Sequence, residues 1–266
     1  MFSRGVATAL LMAGLVLGSG PSRAGAVLDR VKASATLKVC IWPDYYGVTY
    51  RNPRTQQLTG IDIELSAALA RDLKVKAEYV ESSFPTLVAD LNTGRCDIAM
   101  FAVAMLPQRM AVLAFSRPYL QSDIYAITTR SNRVVRSWAD IDQPGVQVAV
   151  QAGTFMEPVM AAALKHATLA VIKPPNTRER ELEAGRVDVF MTDYPYSRRL
   201  LDSADWATLI SPPTPFHVLP YGYAMKQGDA DWLGVVDDFV ARIKHDGRLD
   251  AAAKANGLTP IVFRQP

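Results

Sequence analysis

The chain has 266 residues, and its 29 lysines and arginines against 26 aspartates and glutamates give a formal net charge of +3. Loss of an N-terminal segment carrying Arg4 and Arg23 would leave +1, so no basic surface remains to attract nucleic acid or anionic lipid. We therefore expect no nucleic-acid partner. The remaining length, about 240 residues, suits one large domain or two lobes of about a hundred residues each.

The first 26 residues have the pattern of a cleavable secretory signal peptide. Arg4 precedes an apolar stretch over residues 6–17, and Ala24-Gly25-Ala26 supplies the small residues of a cleavage position. The apolar stretch is too short to span a bilayer comfortably, and no later segment is apolar for long enough. A retained N-terminal anchor is the alternative. We expect an exported protein whose mature chain starts near Val27.

Strand and helix patterns alternate from residue 37 onward. In chain order they predict a strand at 37–42, a polar and aromatic loop at 43–47, a helix at 60–73, a strand at 75–80, a helix at 85–93 and a strand at 97–103. The first helix is marked by Ile61, Leu65, Leu69 and Leu73, which form one apolar stripe. Gly94 stands where the second helix needs a left-handed residue to end.

The same order begins again in the second half of the chain. It predicts strands at 146–151, 168–172 and 188–192, and helices at 155–165, 179–184 and 194–201. This βαβαβ order implies parallel sheets with crossover helices, so we predict an α/β protein with two similar lobes and a ligand cleft between them.

Two segments are candidates for the connections between the lobes. Residues 116–127 read as extended chain and suit a first crossing. Residues 216–225, after a proline-rich breaker, suit the return, and they leave a closing helix at 232–244. The predicted organisation is therefore a signal peptide at 1–26, a first lobe at 27–122, a second lobe at 123–221 and a return to the first lobe at 222–266.

The chain has two cysteines, Cys40 and Cys96. Both remain after cleavage and would meet an oxidising compartment, so a disulfide is possible. Cys40 lies inside one predicted strand and Cys96 at the start of another, and strand pairing could leave them too far apart. The sequence leaves this pairing open.

Two opposite charges, Arg109 and Asp193, each follow an apolar strand-like run. Ligands bind at the carboxyl ends of strands in parallel α/β sheets, so this cation and anion could hold the two ends of a zwitterion such as an amino acid. The alternative for Arg109 is a surface or inter-lobe salt bridge. For Asp193 it is capping the helix that begins at Tyr194, a role compatible with ligand binding.

Six motifs, in their order and spacing, resemble those of the periplasmic solute-binding proteins of polar amino-acid ABC transporters. They are Gly60-x-Asp62-x-Glu64-Leu65, Gly94-Arg95-Cys96-Asp97, Pro107-Gln108-Arg109, Phe115-Ser116-x-Pro118-Tyr119, Gln151-Ala152-Gly153-Thr154 and Gly185-Arg186-Val187-Asp188. The resemblance covers essentially the whole mature chain. It implies a two-lobed fold of the type II periplasmic-binding-protein class, a periplasmic location and an ABC transporter permease as partner.

The resemblance also implies roles for single residues. Arg109 matches the arginine that binds the ligand α-carboxylate, for which a guanidinium offers a rigid fork of donors. Asp193 matches the aspartate for the α-ammonium. Tyr45 matches an aromatic residue that packs on the ligand side chain and Phe84 an apolar wall, although both could be core residues. Gly153-Thr154 could offer backbone N–H groups to an anion or form only a tight turn.

This chain departs from the family pattern around the expected ligand. Ala102, Ala104, Leu106 and Phe155 stand where hydroxyl residues are usual, so backbone N–H groups of Ala104 and Phe155 would have to serve instead. Three further aromatic residues make the expected pocket less polar, and they are Trp42, Tyr194 and Tyr196. A larger or less polar ligand than a plain amino acid is therefore compatible with the sequence.

Two other functions stay open. The chain also resembles exported cyclohexadienyl dehydratases, which as the resemblance implies carry a general-acid glutamate three residues after the aspartate. That position is Tyr196 here, and a phenol with a pKa of about 10 is a poor acid at neutral pH. Val39-Cys40 resembles periplasmic partner proteins of quinoprotein dehydrogenases.

The histidines, His166, His217 and His245, are scattered without metal-ligand spacing, and no phosphate-binding loop appears. We expect no metal and no cofactor. The predicted protein is a non-enzymatic monomer that binds a small carboxylate-bearing molecule, an amino acid or a relative.

Overall fold

The computed structural model of the protein describes residues 25–264. Its helices are α1 (Ala26–Ser34), α2 (Ile61–Asp72), α3 (Leu87–Asn92), α4 (Pro107–Met110), α5 (Met156–Ala163), α6 (Arg178–Glu183), α7 (Tyr194–Ser203), α8 (Ala230–His245) and α9 (Arg248–Ala255). Its strands are β1 (Thr36–Ile41), β2 (Asp44–Tyr45), β3 (Thr49–Arg51), β4 (Leu58–Thr59), β5 (Lys76–Glu81), β6 (Ile98–Ala104), β7 (Leu113–Phe115), β8 (Leu120–Ser122), β9 (Tyr125–Thr129), β10 (Gln147–Gln151), β11 (Thr168–Ile172), β12 (Val189–Thr192), β13 (Ala207–Ile210) and β14 (Leu219–Lys226).

A six-stranded sheet organises the part of the molecule that we call the first lobe. Its order is β5-β1-β6-β14-β7, and β8 also pairs with β14. Strand β1 is parallel to β5 and β6, whereas β14 runs antiparallel to β6, β7 and β8. Every residue of β6 is buried, so this strand lies at the centre of the first core.

A five-stranded sheet organises the second lobe, in the order β11-β10-β12-β9-β13. Strand β10 is parallel to β11 and β12, and β9 runs antiparallel to β12 and β13. The parallel core of each sheet corresponds to one predicted βαβαβ unit, and its crossovers contain helices. The predicted α/β class with two lobes is confirmed.

The two segments predicted to connect the lobes contain strands. Within the predicted crossing at 116–127, β8 joins the first sheet and β9 the second. The predicted return at 216–225 contains β14, whose pairing with β6 and β8 brings the chain back to the first lobe. The loop predicted at 43–47 contains β2, which forms a small sheet with β3 and β4 because the chain folds back on itself there.

Helix α2 begins at a glycine that the fold requires. Gly60 has a φ of +125°, and a Cβ there would lie 2.3 Å from the carbonyl oxygen of Val48. The predicted apolar stripe points inward through Ile61, Leu65 and Leu69, which are all buried. The last position of the stripe, Leu73, caps the helix and is only half-buried.

Cys40 and Cys96 form a disulfide, with their Cα atoms 5.6 Å apart. The sequence left this pairing open. Strand β1 pairs with β6, with Val39 opposite Ile98, so the segment that leads into β6 lies beside β1 and carries Cys96 within reach of Cys40. The disulfide links β1 to the residues directly before β6.

The predicted signal peptide lies outside the described residues except for Gly25 and Ala26. Ala26 begins α1, a helix that the sequence analysis did not predict. The backbone N–H groups of Gly25 and Val27 donate to the carboxylate of Asp229, at 3.0 and 2.9 Å. Within residues 25–264, no helix has the length and apolar character needed to cross a membrane.

Candidate functional site

A narrow pocket, with a cavity volume of about 20 Å³, lies where the carboxyl ends of β1 and β6 face those of β10 and β12. Its lining residues are Trp42, Tyr45, Phe84, Ala102, Ala104, Thr154, Phe155, Met156, Arg178, Thr192, Asp193, Tyr196 and Tyr221. Both lobes contribute to this lining. Nine of these residues were predicted from the sequence to lie at the ligand, whereas three others named there, Arg109, Leu106 and Tyr194, do not line the pocket.

Asp193 is a buried carboxylate directly after β12. Its Oδ1 accepts the Tyr196 backbone N–H at 3.3 Å, the expected cap of α7. Its Oδ2 accepts hydrogen bonds from the hydroxyl groups of Tyr45 and Tyr221, the latter at 2.8 Å. Burial raises the pKa of this carboxyl, and the hydrogen bonds oppose the shift. Among the described residues no cation lies within 4.0 Å of it.

Arg109 lies against the pocket wall rather than in the lining. Its Nη1 donates to the carbonyl oxygen of Ala104 at 3.1 Å, and its Nη2 donates to that of Gly153, in the second lobe, at 2.7 Å. The guanidinium carbon stands 5.3 Å from the centre of the Phe84 ring. Burial lowers the pKa of Arg109 to about 10. No carboxylate of the described residues forms a salt bridge with it, so the salt-bridge alternative does not describe this structure.

Six of the thirteen residues that line the pocket carry aromatic rings. Trp42 is the central ring, 5.3 Å from both Tyr45 and Phe84, and it stacks on Tyr196 at 6.4 Å with an interplanar angle of 14°. Phe155 packs edge-on against Tyr221 at 6.3 Å. These rings provide large apolar faces for the body of a ligand.

The buried carboxylate of Asp62 fixes the backbone of Ala102, a residue of the pocket lining. Ala102 has a φ of +49°, a left-handed conformation rare for alanine, and its N–H donates to Asp62 Oδ2 at 2.9 Å. Tyr119 and Tyr223 donate their hydroxyl groups to the same carboxylate at 2.5 and 3.3 Å. Burial raises the pKa of Asp62 to about 7. The Ala102 N–H is therefore committed to the protein and unavailable to a ligand.

The turn at Gly153-Thr154 differs from the expected anion site. The Gly153 N–H donates to the Glu157 carboxylate at 2.7 Å, and the Thr154 N–H donates to the Gln151 carbonyl at 3.2 Å. The Thr154 hydroxyl donates to the same carbonyl at 2.7 Å. Both expected donors are therefore used within the protein, the Gly153 N–H by Glu157 in the first turn of α5 and the Thr154 N–H by the Gln151 carbonyl. The N–H of Phe155 makes no hydrogen bond within residues 25–264, so it remains open to a ligand.

Arg178 lines the pocket although nothing in the sequence predicted a role for it. It is the first residue of α6 and is 3% exposed. Its Nη1 donates to the Met191 carbonyl at 2.7 Å, and its guanidinium carbon lies 4.7 and 5.1 Å from the ring centres of Tyr196 and Phe190. The predicted helix began at Glu179, and no motif marked the preceding arginine.

Three other lining residues were also missed. Tyr221 lies in β14, where only the alternation of the strand could have indicated which way it points. Thr192 precedes Asp193, and Met156 follows Phe155. Tyr194, which the sequence placed among the aromatic residues near the ligand, packs on Tyr125 at 6.2 Å and does not line the pocket.

Tyr196 is bonded to a carboxylate. Its hydroxyl donates to Glu179 Oε1 at 2.8 Å. Burial and the charge of Glu179 raise the pKa of Tyr196 well above its usual value, so this phenol is a weaker acid here than in water. Within the described part of the chain, no group of three or more histidine, cysteine, aspartate or glutamate side chains is arranged to hold a metal ion.

The family model of the bacterial extracellular solute-binding proteins, family 3, matches residues 37–257. The chain belongs to this family. The match includes both sheets and all thirteen residues that line the pocket.

Individual family members are similar over most of their length. Cyclohexadienyl dehydratase of Pseudomonas aeruginosa is 30% identical over 217 residues, which are 79% of this chain and 81% of that protein. The L-cystine-binding protein of Escherichia coli is 27% identical over 250 residues, 94% of this chain and 92% of that protein. The crystal structure of an amino acid ABC transporter substrate-binding protein of Streptococcus pneumoniae bound to L-arginine superposes with a TM-score of 0.78. It is 25% identical and covers 88% of this chain and 99% of its own.

Proposed function

We propose that this family 3 protein is a periplasmic binding protein that closes its lobes on an amino acid or a related small carboxylate and delivers it to an ABC transporter. The proposal includes export through a signal peptide at 1–26, lobes at 27–122 with 222–266 and at 123–221, and action as a monomer without enzymatic activity. It is supported by the family and by relatives that bind L-cystine and L-arginine.

The observation that carries the proposal is a pair of buried opposite charges with no ionic partners among the described residues. Asp193 is bonded to neutral hydroxyl groups and a backbone N–H, and Arg109 to carbonyl oxygens. A buried charge without an opposite charge is costly, so a ligand that supplies both charges is strongly favoured. An α-ammonium on Asp193 and an α-carboxylate on Arg109 would supply them.

The two tyrosines on Asp193 lie between these charges. Tyr45 and Tyr221 both donate to Asp193, and both are close enough to Arg109 to influence its pKa. Arg109 would exchange its Gly153 carbonyl partner for the ligand carboxylate as the ligand enters. Because the charges belong to different lobes, the ligand meets both only in the closed form, and this differential affinity drives closure.

Dehydratase activity is the second candidate, because one relative is a cyclohexadienyl dehydratase and a carboxylate lies close to Tyr196. Glu179 is that carboxylate, and it lies outside the residues that line the pocket. The proposed function therefore predicts no turnover of prephenate or arogenate by the wild-type protein.

Native mass spectrometry of freshly purified protein, followed by thermal-shift screening of the twenty amino acids, tests the proposal. We expect a shift in the wild type that Arg109→Ala and Asp193→Ala abolish. Turnover of prephenate or arogenate would favour the dehydratase. No bound amino acid, together with capture of a quinoprotein dehydrogenase, would favour the partner protein.

A further inference from the structure

We propose that Arg178 and Thr192 bind a second anionic group of the ligand, so that the ligand is an amino dicarboxylic acid. This inference rests on the proposed function and specifies the class of solute. It assigns the second anionic group to the part of the pocket that Arg178 and Thr192 line.

Arg178 and Thr192 both carry buried polar atoms without a partner. Arg178 Nε and Thr192 Oγ1 accept or donate no hydrogen bond within the described residues, although each is shielded from solvent. Both residues line the pocket, with exposed fractions of 3% and 1%. Buried polar atoms are nearly always paired, so two unpaired ones on residues that line one pocket favour a polar group that the ligand brings.

The neighbouring acid does not satisfy Arg178. Glu179 Oε1 is 3.9 Å from Arg178 Nε, which is too long for a hydrogen bond, and it already accepts the Tyr196 hydroxyl at 2.8 Å. A carboxylate is the group that fits best between an arginine N–H and a threonine hydroxyl, because it accepts from both and neutralises the guanidinium.

A series of packed aromatic rings connects the two arginines. Arg109 lies on the ring of Phe84, Phe84 packs on Trp42, Trp42 stacks on Tyr196, and Tyr196 lies on Arg178. Arg109 belongs to the first lobe and Arg178 to the second. Each guanidinium would then bind a separate carboxylate of the ligand.

The charges around the pocket match this ligand class. Arg178 is a cation and Asp193 an anion in the lining, and Arg109 is a second cation behind the Phe84 ring of the pocket wall. The charge of Arg178 opposes the raised pKa of Asp193, although the two residues form no salt bridge. Two carboxylates and one ammonium complement this set, whereas a second cation, as in L-arginine, would face Arg178.

Titration calorimetry on ligand-free wild-type protein tests the inference with matched pairs. The probes are L-aspartate, L-glutamate and L-2-aminoadipate, set against L-asparagine, L-glutamine and L-arginine. Hydrogen bonds to a charged group predict that the best acidic ligand binds about 10- to 100-fold more tightly than its amide. A wild type that binds amides or L-arginine as tightly as every acid, or that binds none of the acids, would overturn the inference.

Variants then assign the effect to the named residues. Arg178→Met keeps a long apolar chain between the rings and should remove the preference for the acid while leaving amide affinity within about threefold. Thr192→Val should remove part of the preference. Arg180→Met is the matched control, since Arg180 is an exposed residue of the same helix, and it should bind like the wild type.

A purely structural role for Arg178 predicts a different result, namely equal losses for acid and amide. That result would overturn the inference, as would an Arg178→Met protein with an unchanged preference. If Arg178→Met does not fold, Thr192→Val and the wild-type preference decide. Unchanged binding of every probe by Asp193→Asn would instead overturn the proposed function, so the two failures are distinguishable.

Discussion

Arg109 in the first lobe donates a hydrogen bond of 2.7 Å to the carbonyl oxygen of Gly153 in the second lobe. The lobes approach closely at this contact. A Cβ on Gly153 would lie 2.8 Å from the Pro85 nitrogen and 3.0 Å from the Phe84 carbonyl carbon. The residue also has a φ of +74°. A glycine is therefore needed both for the turn after β10 and for the approach of the lobes.

Gly153→Ala should hold the lobes apart and weaken ligand binding. An overpacked contact costs about 1–3 kcal/mol, which corresponds to about a 5- to 150-fold loss of affinity. Gly185→Ala is the matched control, because Gly185 has a φ of +68° in the same lobe and no atom within 4 Å of an added Cβ. Calorimetry and small-angle scattering with ligand measure the effect, and equal losses in the two variants would argue against this contact.

Asp62→Asn should change how stability depends on pH. Burial raises the pKa of Asp62 to about 7 in the folded protein, whereas an unfolded aspartate has a pKa of about 3.9. The folded state therefore binds more protons between about pH 4 and 7. The stability from protonated Asp62 is fully present below this window and is lost as the pH rises through 7.

The difference between wild type and Asp62→Asn isolates this effect from Asp193, whose pKa is also raised. The unfolding free energy of the wild type should fall relative to that of Asp62→Asn by up to about 1.4 kcal/mol per pH unit across the window. Urea unfolding at pH 4.5, 5.5, 6.5 and 7.5 measures it. Asp238→Asn, at an exposed position, should follow the wild type, and a slope shared by all three proteins would contradict the assignment.

Removing the disulfide should destabilise the first lobe. Cys40 and Cys96 are 56 residues apart, and closing a loop of this size restricts the unfolded chain by about 4 kcal/mol. We expect Cys40→Ala with Cys96→Ala to lose about 2–4 kcal/mol of unfolding free energy, since measured losses often fall below this limit. Reduced wild type should unfold like the double variant. A double variant as stable as the oxidised wild type would rule out a stabilising role.

Periodicity predicted the parallel cores of both lobes because buried strands and amphipathic helices leave repeating patterns. The stripe of α2 and the glycine after α3 are examples. The pairing of the antiparallel strand β14 was harder to predict from the sequence, since its partners β6, β7 and β8 are distant along the chain. The same distance left the Cys40–Cys96 pairing open.

The sequence predicted the residues that follow strands better than those whose role depends on packing. Asp193 and Phe155 directly follow regular patterns and line the pocket. Arg178 was missed because its importance rests on an Nε atom that is buried without a hydrogen-bond partner among the described residues. Only the packed structure reveals such an atom. Arg109 lies outside the lining because its guanidinium donates to carbonyl groups of both lobes, contacts that no sequence pattern indicated.

Titration calorimetry of Asp193→Asn tests the zwitterion site most directly, using whichever of the twenty amino acids binds the wild type most tightly. Removing one partner of a buried ion pair costs about 3–5 kcal/mol, which predicts a loss of affinity of about 150- to 5,000-fold. Asp202→Asn, an exposed aspartate of the same helix, should bind within about twofold of the wild type. Asp193→Asn binding with wild-type affinity would contradict the assignment of Asp193 to the ligand ammonium.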